Sequence, residues 1–286
     1  KLLPMTEALS EEREPAPAAQ GAPAAAPEFF IVMNQGSGAG EKDVVREAVE
    51  AELRAAGRRY RFVPVQPGAI VQACQQAARL AMEQGGVMVA SGGDGTINAA
   101  AQAALMQDCP LGLIAQGTFN LFARDLGLPL EAAEATRALL RSQPEPVQVC
   151  LVNEKVFLVN ASVGLYPQLL ADRERVKQRL GRRRWIAMAS AFKSLMAWRK
   201  QLVLDAEMDG ELTRLRTATV FLCNNKVQLA RLGIQDYVVE QLGQGRMACL
   251  LATDMPWWTM LRLLLAAAAG RLGDERQLQS FPLRSL

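Results

Sequence analysis

Three short segments concentrate the residues that could do chemistry. They are Asn34-Gln35-Gly36-Ser37-Gly38-Ala39-Gly40, Ser91-Gly92-Gly93-Asp94-Gly95-Thr96 and Gln116-Gly117-Thr118-Phe119-Asn120-Leu121-Phe122-Ala123-Arg124. Each follows an apolar run that reads as a strand. Glycines at such corners let the backbone approach a ligand and leave N–H groups free to bind phosphate. The first segment is neither a Gly-Lys-Ser/Thr phosphate loop nor a G-x-G-x-x-G turn. Taken alone, it serves equally as a flexible strand-to-helix turn. The second is more specific. Its three glycines in five positions imply unusual backbone angles and no room for side chains, and its one carboxylate, Asp94, is expected to point into the crevice they leave. A carboxylate beside a bound triphosphate repels it unless a cation bridges them, and magnesium supplies that bridge directly or through water. Thr96 reads as a helix cap or a phosphate ligand. The simpler account of Asp94, a helix cap alone, is the competing one.

The rest of the composition narrows the chemistry. The 286 residues include no histidine, which excludes Ser-His-Asp and Cys-His catalysis and every histidine metal site. The five cysteines are scattered through apolar stretches without a paired spacing, so they read as packed free thiols of a reduced protein. A net charge of +3 gives no reason to invoke nucleic acid. No secretory leader pattern opens the chain. The longest apolar run, Met255 to Gly270, contains Arg262 and is too short to span a membrane. The expected location is the cytoplasm, with peripheral attachment at the inner membrane face as a further option.

The elements that must position these segments follow from periodicity. Residues 1–27 are rich in alanine, proline and glutamate and are expected to be a disordered lead-in. From 28 to about 145, apolar runs at Phe29 to Met33, Arg61 to Val63, Gly86 to Ala90 and Leu111 to Ala115 alternate with helical stretches. The helical stretches are Asp43 to Ala56, Ile70 to Met82 and Ile97 to Met106. Such alternation predicts a parallel sheet with ligands beyond the carboxyl ends of its strands, where the three segments fall. Residues 146–286 read differently. Val147 to Val152 and Val156 to Ala161 flank Asn153-Glu154-Lys155, and Leu202 to Met208 and Leu212 to Leu222 flank Asp209-Gly210, a hairpin signal. A β-rich second domain with inserted helices is expected there.

The three motifs, in this order and spacing, resemble the diacylglycerol kinase catalytic-domain family. Gly-Gly-Asp-Gly-Thr at Gly92 to Thr96 is shared with sphingosine kinases and NAD kinases, and Gly117-Thr118-Phe119-Asn120 with Phe122-Ala123-Arg124 is similar to the lipid kinase segment. Asn34, Ser37 and Gly38 match the family's opening motif, with Gln35 in place of proline. Phe157 to Gly164 resembles the start of its second domain. The resemblance implies a three-layer α/β nucleotide-binding domain, a second β-sandwich-like domain, and a site in the cleft between them. It implies transfer of the γ-phosphoryl of ATP, with Mg2+, to a lipid hydroxyl, diacylglycerol first. Asp94 would be the catalytic and metal-associated residue. Asn34, Gly36, Ser37, Gly38, Gly92, Gly93, Gly95, Thr96, Gly117, Thr118 and Asn120 would hold the nucleotide, with Arg124 a weaker candidate. A nucleotide-binding regulatory module at the membrane is the alternative, and an NAD kinase is disfavoured by Phe119-Asn120.

Several positions depart from the family pattern. Ala99 stands where relatives often have glutamate, and Pro64 to Pro67 lack a hydroxyl found in relatives. Gly243-Gln244-Gly245-Arg246 replaces an Asp-Asp-Gly associated with magnesium. The second domain is expected to lack the family's C-terminal Asp-Gly-Glu segment. Seven basic residues between Arg173 and Arg184, ahead of an apolar stripe from Trp185 to Met196, could meet an anionic membrane or simply be solvated. The second stripe, Trp257 to Ala268, reads as core. The expected partners are a lipid substrate and an anionic membrane surface, with a homodimer as an option.

Overall fold

The first strand, β1 (Phe29–Met33), is apolar along its whole length because both of its faces are covered. The computed structural model describes residues 26–34, 39–164, 202–208, 211–217, 219–234, 236–252 and 278–283. In it β1 pairs in parallel with β2 (Tyr60–Val63) on one side and β3 (Val87–Gly92) on the other. β4 (Leu111–Ala115) continues the sheet beside β3, again parallel, giving the order β2-β1-β3-β4. The intervening helices are α1 (Ala39–Ala55), α2 (Ile70–Glu83) and α3 (Asp94–Gln107).

The chain leaves β1 in one direction and returns across it to β3 in the other. Right-handed crossovers then place α1 opposite α2 and α3. The core shows this division. Phe30, Val32, Met88 and Ala90 pack with α2 and α3, whereas Phe29, Ile31 and Val89 pack with α1 and a later helix, α5 (Ala132–Arg141). The α2–α3 seam is lined by Ala73, Cys74, Ala77, Ala81, Ala100 and Ala103, small residues that let the two helices sit close. A short helix, α4 (Leu121–Asp125), precedes α5. Neither α4 nor α5 is among the helices expected from periodicity.

The second half is antiparallel. β5 (Cys150–Val152) and β6 (Lys155–Phe157) form a hairpin whose two turn residues, Asn153 and Glu154, have φ of 47° and 65°. Both positive values mark the turn whose twist suits adjacent strands. The expected strand from Val156 to Ala161 is split: β6 ends at Phe157, and β7 (Asn160–Gly164) joins a different sheet. The expected run from Leu212 to Leu222 is likewise two strands, β9 (Glu211–Thr217), paired with β8 (Leu202–Met208), and β10 (Thr219–Cys223). β10 lies between β7 and β11 (Met247–Ala252), with β12 (Leu278–Leu283) outermost. The β5–β6 hairpin covers one face of this sheet through Phe157, Val220, Cys249 and Leu251. Two short helices, α6 (Lys226–Arg231) and α7 (Asp236–Glu240), cover the other through Leu229, Val238 and Leu250.

The expected lead-in up to residue 25, the Asp209-Gly210 tip, the basic run of Arg173 to Arg184 and both long apolar stripes lie outside the described residues. Among the described residues no helix is long and apolar enough to cross a membrane.

Candidate functional site

β1 lies next to β3, and β3 lies next to β4, so the carboxyl ends of these strands lie side by side. Asn34 comes directly after β1. Its backbone N–H donates to the Ser91 carbonyl at 3.0 Å, and its side-chain Nδ2 donates to Thr96 Oγ1 at 2.9 Å. The first and second turns are therefore tied through Asn34. Gly36, Ser37 and Gly38, the remaining residues expected of the first turn, lie outside the described residues.

The second and third turns touch through backbone. Gln116 N–H donates to the Gly92 carbonyl at 2.8 Å. A Cβ on Gly117 would sit 2.7 Å from Gly93 Cα and 2.8 Å from Asn120 Oδ1, and one on Gly92 would sit 2.7 Å from Thr96 Oγ1. Glycine is needed there because nothing larger fits. This corrects the expectation of unusual backbone angles, because none of Gly92, Gly93, Gly95 or Gly117 has positive φ. The left-handed residue of the site is Asn120, at φ 50°. Asparagine is among the few side chains that tolerate that region. Here its buried Oδ1 accepts from the Gly117 N–H at 2.7 Å and closes the third turn on itself.

Asp94 opens α3 and is partly buried. Its Oδ1 accepts from the Phe122 N–H at 3.4 Å, at the start of α4. Thr96 does not cap α3: no side chain does, and the cap position is Gly93. The Thr96 side chain is buried and bonded to Asn34 instead. Among the described residues no side chain caps the first-turn N–H groups of this 14-residue helix, at the positive end of its dipole. Gly95 lies in that turn, and a Cβ there would meet nothing within 4 Å. Thr118 and Phe119 are exposed on the third turn, and Arg124 Nε donates to the Phe119 carbonyl at 3.0 Å. Arg124 therefore helps to fix the turn's shape.

Among the described residues no three carboxylates, cysteines or histidines gather at one point. Asp94 brings a carboxylate to the first turn of α3 and its amide donors. That set cannot cage a cation by itself, but it fits one whose other ligands are phosphate oxygens and water. The Gly243 to Arg246 turn offers no carboxylate; Gln148 Oε1 accepts from Gly245 N–H at 2.8 Å, and Gln148 Nε2 donates to the Arg246 carbonyl at 2.9 Å.

Polar residues outside the three motifs also hold this region together. Asn98 and Gln102 are one helical turn apart on α3 and reach β6 like an added strand edge. Asn98 donates to the Val156 carbonyl at 2.9 Å and accepts from Leu158 N–H at 3.0 Å, while Gln102 Oε1 accepts from Val156 N–H at 2.7 Å. The four-residue spacing and a strand starting at Val156 were visible in the sequence; that the two would meet was not. Asp125 accepts from Val227 N–H at 3.1 Å, and its burial raises its pKa above the usual aspartate value, with the Val227 and Lys226 N–H groups opposing that rise.

Residues 28–152 match the family described as the diacylglycerol kinase catalytic domain. An uncharacterized protein of Synechocystis sp. is 30% identical over 207 residues, covering 68% of this chain and 46% of that protein. A Klebsiella pneumoniae protein named "Probable lipid kinase YegS-like" is 31% identical over 160 residues, covering 54% of this chain and 52% of that protein. The chain thus spans about half the length of these curated relatives. The crystal structure of a Bacillus anthracis diacylglycerol kinase superposes with a TM-score of 0.60 at 18% identity, over 90% of this chain and 83% of that one. That similarity establishes the shared fold.

Proposed function

We propose, from the match of residues 28–152 to the diacylglycerol kinase catalytic-domain family, that this chain moves the γ-phosphoryl group of ATP to a lipid hydroxyl. Diacylglycerol is the first candidate acceptor. The observation that carries the reading is the contact of Gly93 with Gly117, with Asp94 and the open first turn of α3 beside it. Amide donors and a helix N-terminus attract phosphate, and the glycines let it approach. Asn34 and Thr96 brace this cradle, and Asn120 shapes it.

The chain's own part in the reaction is positioning. Backbone N–H groups orient the phosphates, and Asp94 sets the side from which a divalent cation can enter. Magnesium, when bound, neutralises phosphate charge. The absence of histidine fits a reaction driven by orientation and charge rather than by an imidazole base. The lipid acceptor and an anionic membrane surface are the proposed partners.

Radiolabelled ATP offered with mixed lipid micelles tests this. Labelled phospholipid should form with the wild type, and Asp94→Asn should lose roughly 100-fold or more of the rate, as removal of a charge-stabilising group typically does. ATP uptake without any labelled lipid would favour a nucleotide-binding module instead. The Gly243 to Arg246 turn, with no carboxylate, is the specific observation on that side.

A further inference from the structure

α4 has five residues, too few to hold a helical position unaided, so its placement comes from what bonds to it. One side of it meets the candidate site: Phe122 N–H donates to Asp94 Oδ1 at 3.4 Å, just after Asn120 closes on Gly117. The other side meets the second half of the chain. Asn225 Nδ2 donates to the Leu121 carbonyl at 3.0 Å, and Val227 N–H donates to Asp125 Oδ1 at 3.1 Å. Asn225 is fully buried, and its Oδ1 accepts from Gln228 N–H at 2.8 Å as the cap of α6. Its amide is thus used at both ends.

The connection continues behind Asn225. Gln148 Nε2 donates to Asn224 Oδ1 at 2.6 Å, and Asn224 Nδ2 donates to the Gln148 carbonyl at 3.2 Å. Gln148 also holds the Gly245 and Arg246 backbone, as described above. A continuous polar path therefore runs from the turn before β11, through Gln148, Asn224 and Asn225, to α4 and Asp94. Buried polar side chains left unmatched are costly, so a path matched at each step favours one arrangement of its parts.

We propose that Asn225 is a positioning residue for Asp94, acting through α4, so that docking of the second half of the chain sets the carboxylate beside the nucleotide cradle. The inference rests on the reading of Asp94 as the carboxylate of that cradle. Asn225→Asp is the variant of choice, because it keeps the oxygen that caps α6 and deletes the donor to Leu121. Asn225→Ser, which also keeps a cap but is too short to reach Leu121, guards against an effect of the new charge.

The full chain is measured in two ways. In the first, exchange of the Phe122 amide is followed by NMR without nucleotide. Both variants should speed it roughly three- to tenfold, the range that loss of one hydrogen bond gives, while α2 amides keep their wild-type rates. Unchanged Phe122 exchange, or equal acceleration throughout the protein, would overturn the proposal. In the second, ATP affinity with Mg2+ is measured for Asn225→Asp, Asp94→Asn and the double variant. The Asn225 change should weaken binding in the wild-type background and add nothing once Asp94 is altered. Additive losses would contradict action through Asp94. If the wild type binds no ATP, the kinase reading fails, and the exchange measurement alone decides whether Asn225 positions Asp94.

Discussion

At the residue scale, the glycines of the candidate site divide into two kinds that behave differently on substitution. Gly117 is hemmed in by Gly93 Cα and Asn120 Oδ1, so Gly117→Ala must push the second and third turns apart. Overpacking of this kind costs about 1–3 kcal/mol, and urea denaturation should show it together with weakened nucleotide binding. Gly95 has open space around its Cβ position and lies inside α3. Gly95→Ala should therefore leave stability unchanged or raise it by about 0.5–1 kcal/mol, as alanine does in a helix. It should still weaken nucleotide binding, because the added methyl occupies room reserved for ligand. Calorimetry beside a thermal melt separates the two effects. The glycine count was legible from the sequence, and so was the lack of side-chain room at Gly92, but the partner that crowds Gly93 and Gly117 was not. Nearby glycines suggest unusual backbone angles, whereas the contact of Gly93 with Gly117 joins residues far apart in the chain and appears only after β3 and β4 pair. The cysteines follow the sequence reading more directly. Burial pushes the thiols of Cys223 and Cys249 up to about 12 and that of Cys74 up to about 11, so the native protein should react slowly with a thiol-specific disulfide reagent at neutral pH and rapidly after unfolding.

At the element scale, α3 and α4 tie the two halves of the chain together. Asn98 supplies two hydrogen bonds to the segment from Val156 to Leu158. Asn98→Ala leaves that carbonyl and N–H without partners, and urea denaturation should register a loss of about 1–3 kcal/mol. Asp125 gives a test with a pH sign. Its burial raises its native pKa above the ordinary 3.8. Between that value and the raised one, the native carboxyl keeps a proton that the unfolded chain has lost. Its contribution is therefore greatest below this window and declines as pH rises through it. Relative to Asp125→Asn, the wild type should lose stability across the same interval, measured by urea denaturation at stepped pH. The parallel sheet was legible because its strands are continuous apolar runs separated by helical periods. The second half was less so. The runs from Val156 and Leu212 each hold two strands, and a strand's choice of sheet is decided by partners distant in sequence. α6 and α7 are too short to show a period, although Asn225 before Lys226 is a cap signal.

At the scale of the whole molecule, a three-layer α/β unit presents the second and third turns beside Asn34, and an antiparallel unit docks against it through α4 and β6. The position of the turns at the carboxyl ends of parallel strands could be anticipated from the sequence, whereas the adjacency of β1, β3 and β4 could not. The side-chain ties between units could not, because Gln148, Asn224 and Asn225 carry no motif. The central claim is that this arrangement forms a cradle for magnesium triphosphate. Titration calorimetry of the intact protein with ATP tests it most directly, with and without Mg2+. The account predicts saturable, one-site uptake that requires Mg2+ and is markedly weakened, though still measurable, in Asp94→Asn. Uptake indifferent to both Mg2+ and Asp94, or no uptake at all by a folded protein, would contradict it.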